Sequence, residues 1–171
     1  MTKEKVILAI DGATKTGWAI YKNGKIVKHG TRRFASTTRI KQYGDWLCKM
    51  IGEHEVTHIA AEDIYRLHNR TQDKAFLALA KMQGVLEYVS SSANVELSLL
   101  NPLQVKFVMI PSVTRHERKD DKQRMINRVK FLGYTLENDK ADDEADAIGI
   151  LITYLHNNNI PVVHPKTHGG R

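Results

Sequence analysis

The chain has 171 residues, 42% of them hydrophobic, so one domain with a buried core is expected. Its only cysteine is Cys48, which excludes an internal disulfide bond. Its formal net charge of +7 at pH 7 is weak evidence for a polyanionic partner by itself, because many basic proteins bind no nucleic acid, and the distribution of the charge is more informative. The N-terminus has no pattern of a signal peptide, so we expect a cytoplasmic protein with one domain over residues 1–158 and a flexible tail over 159–171.

The first informative pattern is an apolar segment, residues 6–10, that ends in Asp11. A short apolar run of this kind, followed by glycine, is typical of a strand buried on both faces of a sheet. Because open α/β sheets bind ligands at the carboxyl ends of their strands, Asp11 is a candidate functional residue. The alternative is an ordinary solvated turn aspartate, so the functional interpretation requires partners for Asp11 elsewhere in the chain.

The remaining segments predict a succession of strands and helices. Apolar and alternating segments predict strands over residues 5–11, 16–22, 25–34, 56–61 and 95–100. Apolar residues at helical spacing predict helices over residues 38–52, 71–92, 119–133 and 141–158, and a short helix that begins at Asn101 and Pro102. Asn23-Gly24 indicates a hairpin between the second and third strands. This order is that of a single α/β domain.

Three local expectations follow from the helical patterns. Thr37 and Thr38 lie at the start of the helix predicted over 38–52 and are suited to cap its N-terminus. Cys48 lies in the apolar stripe of that helix, which predicts an inert, buried thiol. Four residues are expected on or near the buried side of the short helix: Leu103, Val105, Phe107 and Val108.

Positive charge is concentrated in two segments. The first spans residues 22–41 and contains no Asp or Glu; its basic residues are Lys22, Lys25, Lys28, Arg32, Arg33, Arg39 and Lys41. The second spans residues 115–130 and is diluted by acids; its basic residues are Arg115, Arg118, Lys119, Lys122, Arg124, Arg128 and Lys130. Two basic segments around a few carboxylates suggest a polyanionic partner with a metal between them, the alternative being ordinary solvated surface charge.

Three further carboxylates can join Asp11. Glu62 follows the fourth predicted strand, whose carboxyl end we expect at the same edge of the sheet. Asp143 and Asp146 are three residues apart on the last helix and therefore project from one face. The alternative is a favourable interaction of first-turn acids with the helix dipole, which explains Asp143 better than Asp146, where the helix becomes apolar.

The four carboxylates have no interleaved Cys or His, so they form a hard oxygen site suited to Mg²⁺, for which Mn²⁺ substitutes. Two such ions, about 4 Å apart, activate a water molecule and stabilise the leaving oxygen in phosphodiester cleavage. The neighbouring acids Asp142 and Glu144 are expected to matter less, so their replacement by amides should be mild.

The motifs that carry these acids resemble those of the RuvC family of Holliday junction resolvases. They are Ile10-Asp11-Gly12 with Thr16-Gly17-Trp18-Ala19, then Ala61-Glu62, then Asp143-Glu144-Ala145-Asp146-Ala147-Ile148. The resemblance implies an α/β, ribonuclease H-like fold with a five-stranded mixed sheet flanked by helices. It also implies a homodimer that binds branched DNA, especially four-way junctions, and an Mg²⁺-dependent endodeoxyribonuclease with two ions per active site. Each subunit is expected to nick one of two strands of like polarity, leaving 5′-phosphate and 3′-hydroxyl ends.

The same resemblance extends to three lysines. Lys106, in Pro102-Leu103-Gln104-Val105-Lys106, resembles a family lysine in the same short context. Lys119 resembles the lysine that supports catalysis at the start of the following helix, and Lys122 is the competing choice. The alternative for each of these residues is ordinary surface charge.

Five further residues are candidates for contact with DNA. Tyr65 stands three residues after Glu62, where bacterial members carry an aromatic residue that meets bases near the crossover. Arg66 and Arg70 can hold the adjoining phosphates, and Arg32 and Arg33 can follow the DNA backbone. A partly buried aromatic residue and solvated surface charge are the alternatives.

The chain departs from the bacterial pattern at Asp11-Gly12-Ala13, where bacterial members usually have Asp-Pro-Gly. The turn looks shorter, which argues against the bacterial preference for a cleavage sequence and against dependence on branch-migration proteins. The compact form is more similar to phage-borne members, which places the protein in a bacterial cell or a phage-infected host.

Three other functions are open from the sequence alone. Asp11-Gly12-Ala13-Thr14 also resembles the first phosphate loop of actin-like kinases, but those proteins need a second such domain. A related ribonuclease H-like nuclease could act on single-stranded flaps or on RNA. A non-catalytic binder of branched DNA is disfavoured, because four acids near DNA phosphates would repel them in the absence of metal.

Overall fold

The computed structural model describes residues 4–64, 74–110, 120–138 and 140–165. Its strands are β1 (Ile7–Asp11), β2 (Lys15–Lys22), β3 (Lys25–Arg33), β4 (His58–Glu62) and β5 (Glu96–Leu100). Its helices are α1 (Arg39–His54), α2 (Lys74–Ser92), α3 (Pro102–Met109), α4 (Asp121–Phe131) and α5 (Asp142–Asn157). None of these helices is both long and apolar enough to span a membrane.

The five strands form one mixed sheet in the order β3-β2-β1-β4-β5. The chain runs antiparallel from β1 through β2 to β3, whereas β4 and β5 pair in parallel on the other side of β1. Asn23 and Gly24 both have positive φ at the β2–β3 turn, as the hairpin signal predicted. The predicted α/β fold with a five-stranded mixed sheet is therefore confirmed.

The alternation of side chains along the central strand divides the core into two layers. Leu8 and Ile10 of β1 pack with residues of α1 and α2 on one face of the sheet. Ile7 and Ala9 pack with residues of α3, α4 and α5 on the other face. Helices thus cover both faces of β1, which explains why its sequence is apolar at every position before Asp11.

Two expectations for α1 are wrong. The helix begins at Arg39, and the side chain of Thr38 makes no capping hydrogen bond. Tyr43, Leu47 and Met50 form its buried face, and Cys48 lies on the exposed side of the helix. A residue next to Leu47 in the sequence is turned about 100° away from it on a helix, so the width of the buried face excludes Cys48.

The expectation for α3 is wrong for Leu103 and Phe107 and confirmed for Val105. Val105 and Met109 face the core, whereas Leu103 and Phe107 have exposed fractions of 68% and 73%. Both pairs have the four-residue spacing of one helix face, so the sequence did not distinguish the face that packs against α5.

The segment after α5 is partly attached to the domain. The Tyr21 hydroxyl donates a hydrogen bond to the carbonyl oxygen of Pro161 at 2.8 Å. The backbone N–H of Val163 donates to the carbonyl oxygen of Gly24 at 2.7 Å. The Tyr134 hydroxyl lies 2.9 Å from His164 Nδ1. Residues 161–163 are therefore held against β2 and its turn, and His164 against Tyr134, while residues 166–171 of the predicted flexible tail lie outside the described residues.

Candidate active site

The carboxylates of Asp11 and Glu62 end two neighbouring parallel strands. Ile10 of β1 is aligned with Ala61 of β4, so the residue that follows each of them lies at the same edge of the sheet. This places the first two predicted site residues side by side at the carboxyl ends of central strands, where α/β sheets bind their ligands.

The start of α5 packs directly on β2. An ideal Cβ built on Gly17 would lie 1.8 Å from the backbone oxygen of Asp143, a distance that no other residue type could accommodate. Gly17 is aligned with Asp11 across the β1–β2 pair. The close approach therefore brings the first turn of α5, with Asp143 and Asp146, to the same end of the sheet as Asp11.

The four carboxylates influence one another electrostatically. Burial raises the pKa of Asp11 well above its usual value, and the charges of Asp146, Glu62 and Asp143 raise it further. Burial also raises the pKa of Asp146 to about 7, with the charge of Glu62 as the next contribution. Burial raises the pKa of Glu62, and Lys106 partly opposes this increase. The fold thus collects negative charge that its own cations neutralise incompletely.

Lysines at the rim of the cluster are paired with acids. Lys15 Nζ lies 3.5 Å from Asp143 Oδ2. Lys122 Nζ lies 2.5 Å from Asp142 Oδ2, and its charge reaches Asp146. Of the predicted lysines, Lys122 is thus placed beside the acids.

Lys106 lies near Glu62, because its positive charge lowers the pKa of that carboxyl. Its Nζ is 3.0 Å from Asp121 Oδ2. Lys119, its predicted companion in the following segment, lies outside the described residues.

The donor set fits a hard divalent cation. Carboxylate oxygens are the ligands that Mg²⁺ and Mn²⁺ prefer, and bound positive charge would relieve the repulsion that raises these pKa values. Among residues 4–64, 74–110, 120–138 and 140–165, no three His, Cys, Asp or Glu side chains already form a group that could hold a metal ion. The acidic side chains therefore lie in one region, but their oxygen atoms do not converge on one metal position.

The sheet separates the first basic segment into two parts. Arg33 is aligned with Lys15 and Arg32 with Thr16, at the end of the sheet where Asp11 lies. Lys22 and Lys25 flank the hairpin turn at the opposite end. The predicted positions Arg32 and Arg33 are thus brought to the carboxylate end, although they belong to the same basic segment as the lysines at the opposite end.

Three predicted DNA-binding positions cannot be placed. Tyr65, Arg66 and Arg70 lie outside the described residues, between β4 and α2, and their roles stay predictions.

Glu144 is a residue whose importance the sequence argument missed. Its side chain has an exposed fraction of 1%, and its Oε1 lies 2.6 Å from His29 Nδ1 of β3. Its Oε2 accepts a hydrogen bond of 2.8 Å from the backbone N–H of Glu137. The expectation of a mild role is difficult to reconcile with a buried carboxylate that has two partners, because removing an acceptor leaves buried donors unsatisfied.

A signal for the burial of Glu144 was present in the sequence. Ile148, Leu151 and Leu155 follow it at helical spacing, and all three are fully buried. Glu144 therefore belongs to the inward face of α5, and it joins the helix to β3 between the two aspartates.

The sequence matches a known protein family over almost the whole domain. The family model described as "Crossover junction endodeoxyribonuclease RuvC" matches residues 7–154. The chain belongs to the RuvC family. This match spans β1 to α5 and therefore includes every carboxylate of the site. The family resemblance and the class of enzyme, an endodeoxyribonuclease, are confirmed.

Individual RuvC proteins are distant in sequence and similar in fold. The chain is 28% identical to Fusobacterium nucleatum RuvC, over 88% of this chain and 80% of that protein. The structure of Thermus thermophilus RuvC in complex with a Holliday junction substrate superposes with a TM-score of 0.69 at 16% identity, covering 94% of this chain and 99% of that one. The yeast mitochondrial Holliday junction resolvase gives 0.60 at 16% identity, covering 87% and 77%. These likenesses confirm the ribonuclease H-like fold.

Proposed function

We propose that this RuvC-family chain resolves four-way DNA junctions by metal-dependent hydrolysis, with Asp11, Glu62, Asp143 and Asp146 as the ligands of two Mg²⁺ ions. The observation that carries the proposal is the assembly of four carboxylates from three separate elements, with raised pKa values at Asp11, Glu62 and Asp146. A purely structural site would have neutralised these charges, because buried uncompensated carboxylates destabilise a fold.

The metal, when bound, supplies an activated water and stabilises the leaving oxygen of a phosphodiester. The chain itself supplies the frame: β1 and β4 hold Asp11 and Glu62 rigidly, and the contact at Gly17 holds the start of α5 against them. Cleavage at the 3′ oxygen leaves the 5′-phosphate and 3′-hydroxyl ends that the family resemblance implies.

The proposed DNA surface surrounds this edge with positive charge. Arg32 and Arg33 lie on one side of the acids, on the outer strand β3. Lys106 and Lys122 lie near Glu62 and Asp146. Phosphate contacts of this kind position the DNA and contribute salt-dependent affinity, while the acids carry out the chemistry.

The proposal includes a homodimer. A four-way junction has approximate two-fold symmetry, so two identical active sites related by a two-fold axis can nick two strands of like polarity. Independence from branch-migration proteins is part of the same proposal, since the departure at Gly12-Ala13 removes the bacterial pattern.

The decisive experiment is a cleavage assay with Mg²⁺ or Mn²⁺ on a four-way junction, a flap, a linear duplex and an RNA–DNA hybrid. We expect efficient cutting of the four-way junction only. Asp11→Asn, Glu62→Gln, Asp143→Asn and Asp146→Asn should each abolish cutting and preserve junction binding. Preferential cutting of the flap or the hybrid would support the related nuclease instead, and binding without cutting under all conditions would support a non-catalytic binder.

A plasmid with an extruded cruciform tests the dimer separately. Two nicks made within the lifetime of one complex convert the supercoiled plasmid directly to a linear form, whereas single nicks give an open circle. A mixed dimer of wild-type and Asp11→Asn subunits should give open circles only. If purified dimers with one subunit of each kind gave linear product, this would contradict the assignment of one active site to each subunit.

A further inference from the structure

Lys15 forms an ion pair with one of the proposed metal ligands. Its Nζ lies 3.5 Å from Asp143 Oδ2, and the two side chains have exposed fractions of 29% and 22%. Lys122, on the other side of the first turn of α5, pairs instead with Asp142, which is not among the proposed ligands. Lys15 is therefore a cation of the chain itself, placed at a carboxylate that the proposed function assigns to a metal ion.

The position of Lys15 on β2 explains why it reaches this acid. Gly17 is aligned with Asp11, so Lys15, two residues earlier, extends beyond the carboxyl end of β1 by roughly 7 Å. Residues two apart on a strand point to the same face of the sheet. Because Gly17 closely approaches the Asp143 backbone, Lys15 and the first turn of α5 share one face. Two separate contacts thus place Asp143 over the start of β2.

A lysine ammonium group and a divalent cation compete for this carboxylate. A divalent ion bound to Asp143 would lie within a few ångströms of the ammonium group and repel it. In the parts of the chain that the structure describes, the acids do not yet form a group that could hold a metal ion. This arrangement is expected if Lys15 holds the Asp143 carboxylate away from the other acids.

The surroundings of Lys15 provide a second position for its charge. Lys15 is aligned with Arg33 of β3 at the carboxylate end of the sheet, on the proposed DNA surface. A lysine has a flexible stem, so its ammonium group can leave Asp143 without a movement of the backbone. Its three donors suit a phosphate oxygen, and such charge-assisted hydrogen bonds are stronger than neutral ones.

We propose that Lys15 is an internal counter-ion of Asp143 that a bound divalent ion displaces, and that the displaced ammonium group binds the scissile phosphate. The proposal rests on the proposed function, because it takes Asp143 as a metal ligand. In the metal-free protein Lys15 offsets part of the charge of the acids. In the loaded complex the same side chain binds DNA at the point of cleavage.

The first test measures Mn²⁺ affinity by calorimetry in the absence of DNA. Lys15→Met retains the aliphatic stem and removes the charge, so we expect Mn²⁺ to bind about tenfold more tightly. Lys22→Met is the matched control, because Lys22 pairs with Glu4 at the opposite end of the same strand, and its affinity should stay within about twofold of wild type. An ion pair that only stabilised α5 would predict weaker binding in Lys15→Met, so unchanged or weaker binding would overturn the proposal.

A double-mutant cycle separates competition for Asp143 from general repulsion between Lys15 and the metal ion. In Asp143→Asn the contested carboxylate is absent, so adding Lys15→Met should change Mn²⁺ affinity by less than about twofold. A tenfold gain in both backgrounds would show general repulsion and would overturn the role of Lys15 as a counter-ion of Asp143. Melting temperatures establish that each variant folds.

The second test measures single-turnover cleavage of a four-way junction at saturating Mn²⁺. We expect Lys15→Met to cut about tenfold more slowly than wild type although it binds the metal more tightly, because a charge-assisted contact to the phosphate is lost. Lys15→Arg retains the charge and the donors, so its rate should lie within about threefold of wild type. A wild-type rate in Lys15→Met would show that Lys15 does not bind the scissile phosphate.

The outcomes separate this proposal from the one on which it rests. If the wild-type protein binds Mn²⁺ but cuts no junction, the proposed function fails. If it cuts junctions while Lys15→Met binds Mn²⁺ no more tightly than wild type, the counter-ion role is wrong and the junction-resolving function stands.

Discussion

The contact between Gly17 and the start of α5 leads to the sharpest prediction, the effect of Gly17→Ala. The new Cβ would lie 1.8 Å from the Asp143 backbone oxygen and 2.4 Å from its carbonyl carbon, whereas ordinary contacts begin at 3.4 Å. The first turn of α5 must therefore retreat by roughly 1.6 Å, taking the Asp143 carboxylate with it. A displacement of about 1 Å in a catalytic group can reduce a rate by about 10²-fold.

We therefore expect Gly17→Ala to slow single-turnover cleavage of a four-way junction by about 10²-fold or more, with junction affinity within about threefold of wild type, since phosphate contacts set affinity. Gly52→Ala is the control, because its Cβ would meet no atom within 4 Å. Urea unfolding of both variants should show a loss of about 1–3 kcal/mol for Gly17→Ala only. Cleavage by Gly17→Ala at the wild-type rate would refute the argument that this contact positions the carboxylates of α5.

Three further predictions concern charge. Because the pKa of Asp146 is raised to about 7 in the fold, its proton stabilises the metal-free protein fully below pH ~4, and this contribution is lost as the pH rises to about 7. At pH 8 without metal, the melting temperature of Asp146→Asn should therefore exceed that of wild type by about 2–4 °C for each kcal/mol of stability recovered. The two melting temperatures should converge near pH 4. Equal melting temperatures at pH 8 would contradict this. Glu144→Gln should cost about 1–3 kcal/mol in urea unfolding and reduce cleavage, since one buried donor loses its acceptor, and a silent variant would restore the expectation drawn from the sequence. Replacing both Arg32 and Arg33 with Gln should lower the slope of log affinity against log salt by about 2 for all DNA shapes, whereas Lys25→Gln, at the far end of the sheet, should leave the slope unchanged.

The elements of the fold were predictable where the pattern is local. The apolar run before Asp11, the hairpin signal at Asn23-Gly24 and the spacing of the helical stripes each depend on neighbours in sequence, and the structure has those elements within a few residues. The pairing of Asp11 with Glu62 was also accessible, because two parallel strands that end in acids must present them at one edge.

What the sequence could not determine depends on which surface of an element meets another. Phe107 and Val105 are equally apolar, and only the approach of α5 leaves Phe107 exposed. Lys25 and Arg33 belong to one charged segment, and only the direction of β3 sends them to opposite ends of the sheet. Gly17 and Asp143 are 126 positions apart, and their contact is decided by how closely a helix can pack on a strand without a Cβ. Residue types and order therefore specify the elements and the acids they carry, whereas the distances between those acids arise from long-range packing.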